Sequence, residues 1–181
     1  RTAVGFAAAL DLPVDDLPFL RGVSAREAEV VRAQVARRLN APPVSSIGRL
    51  FDAVAALAGI PPFSDGGRAE IDYEAQGAIE LEELSRDHIG EREEYPFRIE
   101  GENIRVAELL SAVIRDVRAG LSAGAVGGRF HRSLRSLAVS AARAVRAERG
   151  IREVVLSGGV WQNALLFGLT TAALQEAGFE V

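Results

Sequence analysis

The sequence predicts a helix-rich α/β fold, and two observations carry that prediction. Apolar residues recur at helical spacing in segment after segment, most of them opened by a Ser or closed by a Gly. The chain then closes on a strand–loop–helix–strand pattern, the grammar of α/β sheets. With 181 residues, 48% hydrophobic and 25% charged, the chain is long and apolar enough to bury a real core.

Residues 2–10 are small and apolar and read as helix, and residues 11–22 form a connection bearing Pro and Asp. Ser24 and Glu27 make a capping box, with Val30, Val31, Val35 and Leu39 behind it; Asn40 and Pro42-Pro43 end that helix. Ser45 or Ser46 caps the next, whose apolar positions are Ile47, Leu50, Phe51, Val54, Leu57 and Ala58, and Gly59 with Pro61-Pro62 stops it. Residues 63–68 read as a Gly/Asp-rich loop, and residues 72–85 as helix with Ala75, Ala78, Ile79 and Leu81 on or near one face. Residues 87–94, including His88, read as charged and solvated.

Phe97, Ile99, Ile104 and Val106 alternate around a Gly-bearing turn, a hairpin pattern. Leu109, Leu110, Val113, Ile114 and Val117 mark a helix ended by Gly120. Ser122 opens a long helix with Val126, Phe130, Leu134, Leu137, Ala141 and Val145 inward and Gly150 as its stop. Residues 151–156 read as a buried strand, and residues 161–177 as the last helix, closed by Gly178. The chain opens on Arg1, contains no Met and ends on the first residues of a strand, which predicts a piece of a longer polypeptide.

Composition excludes much chemistry. There is no Cys, so disulfides, thiolate metal sites and a Cys nucleophile are out. Every basic residue is Arg, which removes a Lys-bearing phosphate loop and Schiff-base chemistry. His88 and His131 are the only histidines and form no local metal motif. A net charge of −4, spread along the chain, argues against a nucleic-acid or anionic-membrane partner. Residues 154–175 carry no charge, but Ser157, Gly158, Gly159, Gln162 and Asn163 interrupt them, which suits strand, loop and buried helix better than a membrane span.

Three segments could carry chemistry. In Val155-Leu156-Ser157-Gly158-Gly159-Val160-Trp161-Gln162-Asn163 a strand runs through two glycines into a helix start. Such a bend admits a ligand close to the backbone, the helix start offers N–H groups, and Asn163 is an amide within reach. The alternative is an ordinary tight turn with Asn163 near the helix N-terminus. In the second segment, Asp52 sits among small neighbours (Gly48, Ala53, Ala55, Ala56) and could accept from a ribose diol; the alternative is an Arg49–Asp52 pair on a helix surface. In the third, Tyr73-Glu74-Ala75-Gln76-Gly77, polar groups at a helix start either line a site or answer the helix dipole. His131 reads as a satisfied structural side chain, and the run Arg129, Arg132, Arg135, Arg143, Arg146, Arg149 and Arg152 as a solvated helix face, with anion binding the alternative.

Taken in order, NAPPVSSIGRLFDAVAALAGI, YEAQGAIELEEL, GRFHRSL and VVLSGGVWQNALLFGL through LQEAGFEV resemble the carboxyl-terminal part of the hydrogenase-maturation carbamoyltransferase family, HypF, from about Asn40 to Val181. The resemblance implies half of an actin/sugar-kinase/heat-shock-type nucleotide-binding fold, similar to the threonylcarbamoyl-transfer enzymes. It divides the chain into a helical lead-in (1–44), a helical ribose-side segment (45–86) and a hairpin, long-helix and nucleotide segment (95–181). It implies that ATP and carbamoyl phosphate yield a carbamoyl-adenylate. The carbamoyl group then passes to a C-terminal cysteine of an acceptor protein (HypE-like) and becomes the cyanide ligand of a nickel–iron centre. By the same resemblance Asp52 holds the ribose, Asn163 contacts the nucleoside above Gly158 and Gly159, and Glu74 and Gln76 belong to a substrate-side segment. A divalent metal is expected, with ligands upstream of Arg1 and beyond Val181, so the piece alone should not turn over. The resembling segment carries Ala where this chain has Gly77, and frequently Gly where it has Ala75. A cytoplasmic setting, no catalytic side-chain base, and catalysis by orientation and charge stabilisation follow. Two other classes remain open: a noncatalytic helical interaction module, and a related threonylcarbamoyl transferase or kinase fragment.

Overall fold

The computed structural model describes residues 1–60 and 71–181. Pro61-Pro62 and the predicted loop at 63–68 lie outside the described residues. Seven α-helices carry the described fold: α1 (Thr2–Ala9), α2 (Ala25–Arg37), α3 (Ile47–Leu57), α4 (Gln76–Ser85), α5 (Ala107–Arg118), α6 (Ala123–Arg149) and α7 (Ala164–Glu176). Short 3-10 turns cover Pro18–Gly22, Arg86–His88 and Gly159–Gln162. One antiparallel hairpin, β1 (Arg98–Glu100) and β2 (Asn103–Arg105), pairs Ile99 with Ile104.

Local chemistry sets most of the helix starts. Ser24 accepts from the Glu27 amide while Glu27 reaches back to the Ser24 amide, the predicted reciprocal box. Ser46 caps α3 by accepting from the Arg49 N–H and Ser122 caps α6 by accepting from the Ala125 N–H, without a returning side chain. The buried side of α3 is Leu50, Phe51, Val54 and Leu57. It meets α6 through Phe130, whose ring stands edge-on to Phe51 at 4.8 Å. α6 is the spine of the molecule, with α4 packed on one side and α7 on another.

The α4–α6 contact depends on missing side chains. A Cβ on Gly124 would collide with the Leu84 carbonyl oxygen, and one on Gly128 would lie 2.9 Å from the His88 carbonyl oxygen. Gly127 faces Ser85 and Leu81, both fully buried. His88 is therefore not the solvated residue expected: it packs over Gly124 and Gly128 and bonds Glu91 at 2.8 Å. The Arg run also divides. Arg132 is 2% exposed and donates to the carbonyls of His88 and Glu93, holding the 88–94 segment onto α6. Its charge stays buried because a planar guanidinium can satisfy several carbonyl oxygens at once.

Four further expectations are corrected. Residues 151–156 are not a buried strand: Val155 is 87% exposed, and the backbone makes a single parallel bridge, Glu153 to Glu180. An apolar run becomes a buried strand only when neighbours cover it, and here one segment pairs with it on one edge. The last helix starts at Ala164 rather than 161, because Asn163 caps it and residues 159–162 form the 3-10 turn. α4 starts at Gln76 rather than 72, after Ala75 in a left-handed conformation. Val145 faces outward, since α6 runs past the core in its last turns.

Candidate functional site

α3, α4 and the 159–163 turn enclose a cavity of about 760 Å³. Asp52, Glu74, Gly159 and Asn163 all line it, so three segments far apart in sequence meet at one cavity. Gly158 and Gln76 are not among the lining residues. Gly158 forms the bend just behind, at φ 100°, a conformation that favours Gly. Gln76 is 7% exposed; its amide accepts from the Asp72 N–H and donates to Glu80, so it closes the turn into α4 and does not face the cavity.

Asp52 takes the Arg49 guanidinium at 2.8 Å, so the predicted surface pair is formed. The carboxylate nevertheless faces the cavity with a side chain 21% exposed. An ionised carboxylate offers about four acceptor positions, and Arg49 occupies one. Gly159, which lines the same cavity, has open space where a Cβ would stand. Val160 and Trp161 pack against the core and pin that turn in place.

Asn163 is fixed by two bonds. Its Oδ1 accepts from the Leu166 N–H at 2.8 Å, the helix cap. Its Nδ2 lies 2.9 Å from Nε2 of His131, whose Nδ1 lies 2.7 Å from the Gly127 carbonyl. His131 is fully buried beside the Phe51–Phe130 pair and edge-on to both rings. Burial, with the neighbouring Arg132 charge adding to it, pushes its pKa down to about 4. The structural reading of His131 therefore holds.

The α7 start differs from the sequence expectation of free N–H groups. Asn163 takes Leu166, and Glu82 of α4 accepts from the Leu165 N–H at 3.2 Å. Glu82 also bonds Arg86 and is only 13% exposed at its side chain. A carboxylate of the chain itself thus sits where an anionic ligand would sit on a helix N-terminus. This end of the cavity suits the neutral part of a ligand, not a phosphate.

Glu82 lines the cavity and has no site reading in the sequence, while Ser46 reads there only as a helix cap, Gln162 only as part of the glycine-bend segment and Arg49 only as a pair partner. The signal for Glu82 was present: Ala75, Ala78, Ile79 and Glu82 fall on one helical stripe. Ile79, expected inward, is 52% exposed because that stripe faces the cavity. The departures at 75 and 77 also resolve. Gly77 lies under Ala55, where a Cβ would come within 3.1 Å, so it lets α4 approach α3. Ala75 sits at φ 62°, where Gly carries no Cβ penalty. Ala75→Gly is therefore expected to raise stability by about 1 kcal/mol, read as an increase in thermal midpoint.

A family model described as "Carbamoyltransferase, Kae1-like Domain, second subdomain" matches residues 1–181. Carbamoyltransferase HypF of Synechocystis sp. is 33% identical over 150 residues, covering 81% of this chain and 18% of that protein. Its counterpart in Rhizobium leguminosarum bv. viciae is 36% identical over 141 residues, covering 77% and 17%. Among solved structures, full-length HypF in the phosphate- and nucleotide-bound form superposes on all of this chain with TM-score 0.82 and 34% identity, over 27% of its own length. HypF of T. kodakarensis gives TM-score 0.75 and 27% identity over 99% of this chain and 24% of its own. The helix-rich fold predicted from sequence is thus the one these proteins share, in agreement with half of an actin/sugar-kinase/heat-shock-type fold. The chain spans about a fifth of the length of the two curated relatives.

Proposed function

The chain belongs to the HypF carbamoyltransferase family, and on that premise we propose that it supplies the nucleoside side of an adenylate site in a carbamoyl-transfer enzyme. One observation carries the reading: Asp52 and the open Gly159–Asn163 turn line the same cavity. The carboxylate accepts hydrogen bonds from a ribose diol, the bend without side chains lets a nucleoside lie against backbone, and Asn163 donates to it. Glu82 at the α7 start directs the phosphates away from this end. A relative of similar fold has been solved in a nucleotide-bound form, which supports the same assignment.

The substrates we propose are ATP and carbamoyl phosphate: water releases phosphate from carbamoyl phosphate, and the resulting carbamate displaces pyrophosphate from ATP to give a carbamoyl-adenylate. The acceptor is the thiol of a C-terminal cysteine on a partner protein, which takes the carbamoyl group with release of AMP and leads to the cyanide ligand of a nickel–iron centre. A cytoplasmic setting belongs to the same proposal. Among the described residues no helix is long and apolar enough to cross a membrane. Among them, too, no three His, Asp or Glu side chains come together to hold a metal ion. This chain's own groups bind and orient the nucleoside, with rate enhancement from placing the carbonyl against its acceptor.

The test is calorimetric titration of ATP into the complete natural polypeptide. Asp52→Ala and Asn163→Ala are each expected to weaken binding by about tenfold or more, the worth of one well-placed hydrogen bond. Unchanged affinity in both variants would sink the assignment.

A further inference from the structure

The proton positions along the Leu166–Asn163–His131–Gly127 chain are determined by the groups at its two ends. The Leu166 backbone N–H can only donate, so the Asn163 atom facing it is Oδ1. That turns Nδ2 toward His131, and Nδ2 can only donate, so Nε2 of His131 must accept. At the other end the Gly127 carbonyl can only accept, so Nδ1 of His131 carries the hydrogen. The imidazole has one donor and one acceptor nitrogen in its neutral form, and both are matched. The ring is fully buried and stands edge-on to both Phe51 (5.3 Å) and Phe130 (6.2 Å), so it cannot turn over without displacing the core.

We propose that His131 is a positioning residue that locks the Asn163 amide so that a donor, and not an acceptor, faces the nucleoside cavity. One Nδ2 hydrogen is spent on His131, and the other remains for a ligand atom that accepts. This rests on the nucleoside reading above and deepens it: the ligand must present a hydrogen-bond acceptor, such as a ring nitrogen or a sugar oxygen, at Asn163. Position 131 is coupled to that choice although it does not line the cavity. Loss of its acceptor frees the amide to turn, and the α7 cap and the 159–162 turn lose their fixed reference on α6.

Side-chain reach supplies the discriminating pair. In His131→Asn the shorter amide reaches the Gly127 carbonyl, at the place of Nδ1, but leaves Asn163 without a partner. In His131→Gln the amide oxygen reaches the place of Nε2 and accepts from Asn163. ADP is titrated by calorimetry into the complete natural polypeptide, with thermal midpoints recorded for every variant. The expected result is a loss of about tenfold in His131→Asn and recovery to within about threefold of wild type in His131→Gln, the difference being one hydrogen bond. Equal affinities in the two folded variants overturn the positioning role. Unchanged affinity in Asn163→Ala instead overturns the nucleoside reading, whatever His131 does.

A second measurement needs no altered fold. Nitrogen-15 histidine NMR of the wild type, assigned by the signals lost in His131→Gln, is expected to show protonated Nδ1 and unprotonated Nε2 at neutral pH. A proton on Nε2 overturns the proposal.

Discussion

Gly124→Ala is expected to destabilise the fold by about 2–3 kcal/mol, seen as a fall in thermal midpoint of about 5–10 °C for a domain of this size. Intrinsic propensity alone predicts the opposite sign, since Ala in place of Gly favours a helix by about 1 kcal/mol. Packing decides. The new methyl would run into the Leu84 carbonyl oxygen and stand 2.7 Å from Cδ2 of His88. A backbone oxygen cannot rotate away, so α4 and α6 would have to separate, and with them the buried Leu81 and Ser85. Gly168→Ala in α7 is the internal control: nothing lies within 4 Å of its Cβ position, and it should stabilise by up to about 1 kcal/mol. If thermal denaturation gives both substitutions the same sign, the close α4–α6 approach is wrong. The contact also bears on the site. α4 carries Glu74's following wall of Ala78, Ile79 and Glu82, whereas Asn163 is tied to α6 through His131, so separating the two helices pulls the cavity walls apart.

Acid should weaken the protein in a window set by His131. Its folded pKa is pushed down to about 4, chiefly by burial, while an unfolded imidazole titrates near 6.5. Between those values the unfolded chain binds the extra proton, so stability rises with pH. The contribution is complete above about pH 6.5 and is lost as pH falls toward 4; over that span it amounts to about 3 kcal/mol. Protonation of Nε2 would set two N–H groups against each other unless the Asn163 amide turned, and that turn would break the Leu166 cap. Asp16 and Glu91 also sit low, the first through its bond to Arg118 and the second through His88, and their loss comes at lower pH. Urea denaturation from pH 7 to 4 should show a steep fall in wild type. His131→Gln should flatten it and leave only the acidic limb; an unchanged slope would count against a buried neutral imidazole.

How much was legible follows from how far each signal reaches along the chain. The Ser24 box, the Ser46 and Ser122 caps, the apolar face of α3 and the Ile99–Ile104 hairpin all depend on groups within a few residues, and they stand where their spacing put them. The starts of α4 and α7 were misplaced by three or four residues because the residues before them, Ala75 and Asn163, adopt conformations that periodicity does not encode. At the site, Asp52, Gly159 and Asn163, noticed for their residue type and segment, line the cavity. Gln76 does not, because its amide is used up within its own turn.

By itself, then, the sequence determined where helices begin with a cap, which faces are apolar, and which segments resemble a nucleotide-binding family. Tertiary structure alone decided that 151–156 lies exposed, that Arg132 is buried, that Glu82 answers α7 and that His131 answers Asn163. The physical reason is the same in each case. Burial and hydrogen-bond satisfaction belong to pairs of groups, and the partners lie 83 residues apart for Glu82 and Leu165, and 32 apart for His131 and Asn163. No local pattern can state what such a distant partner supplies.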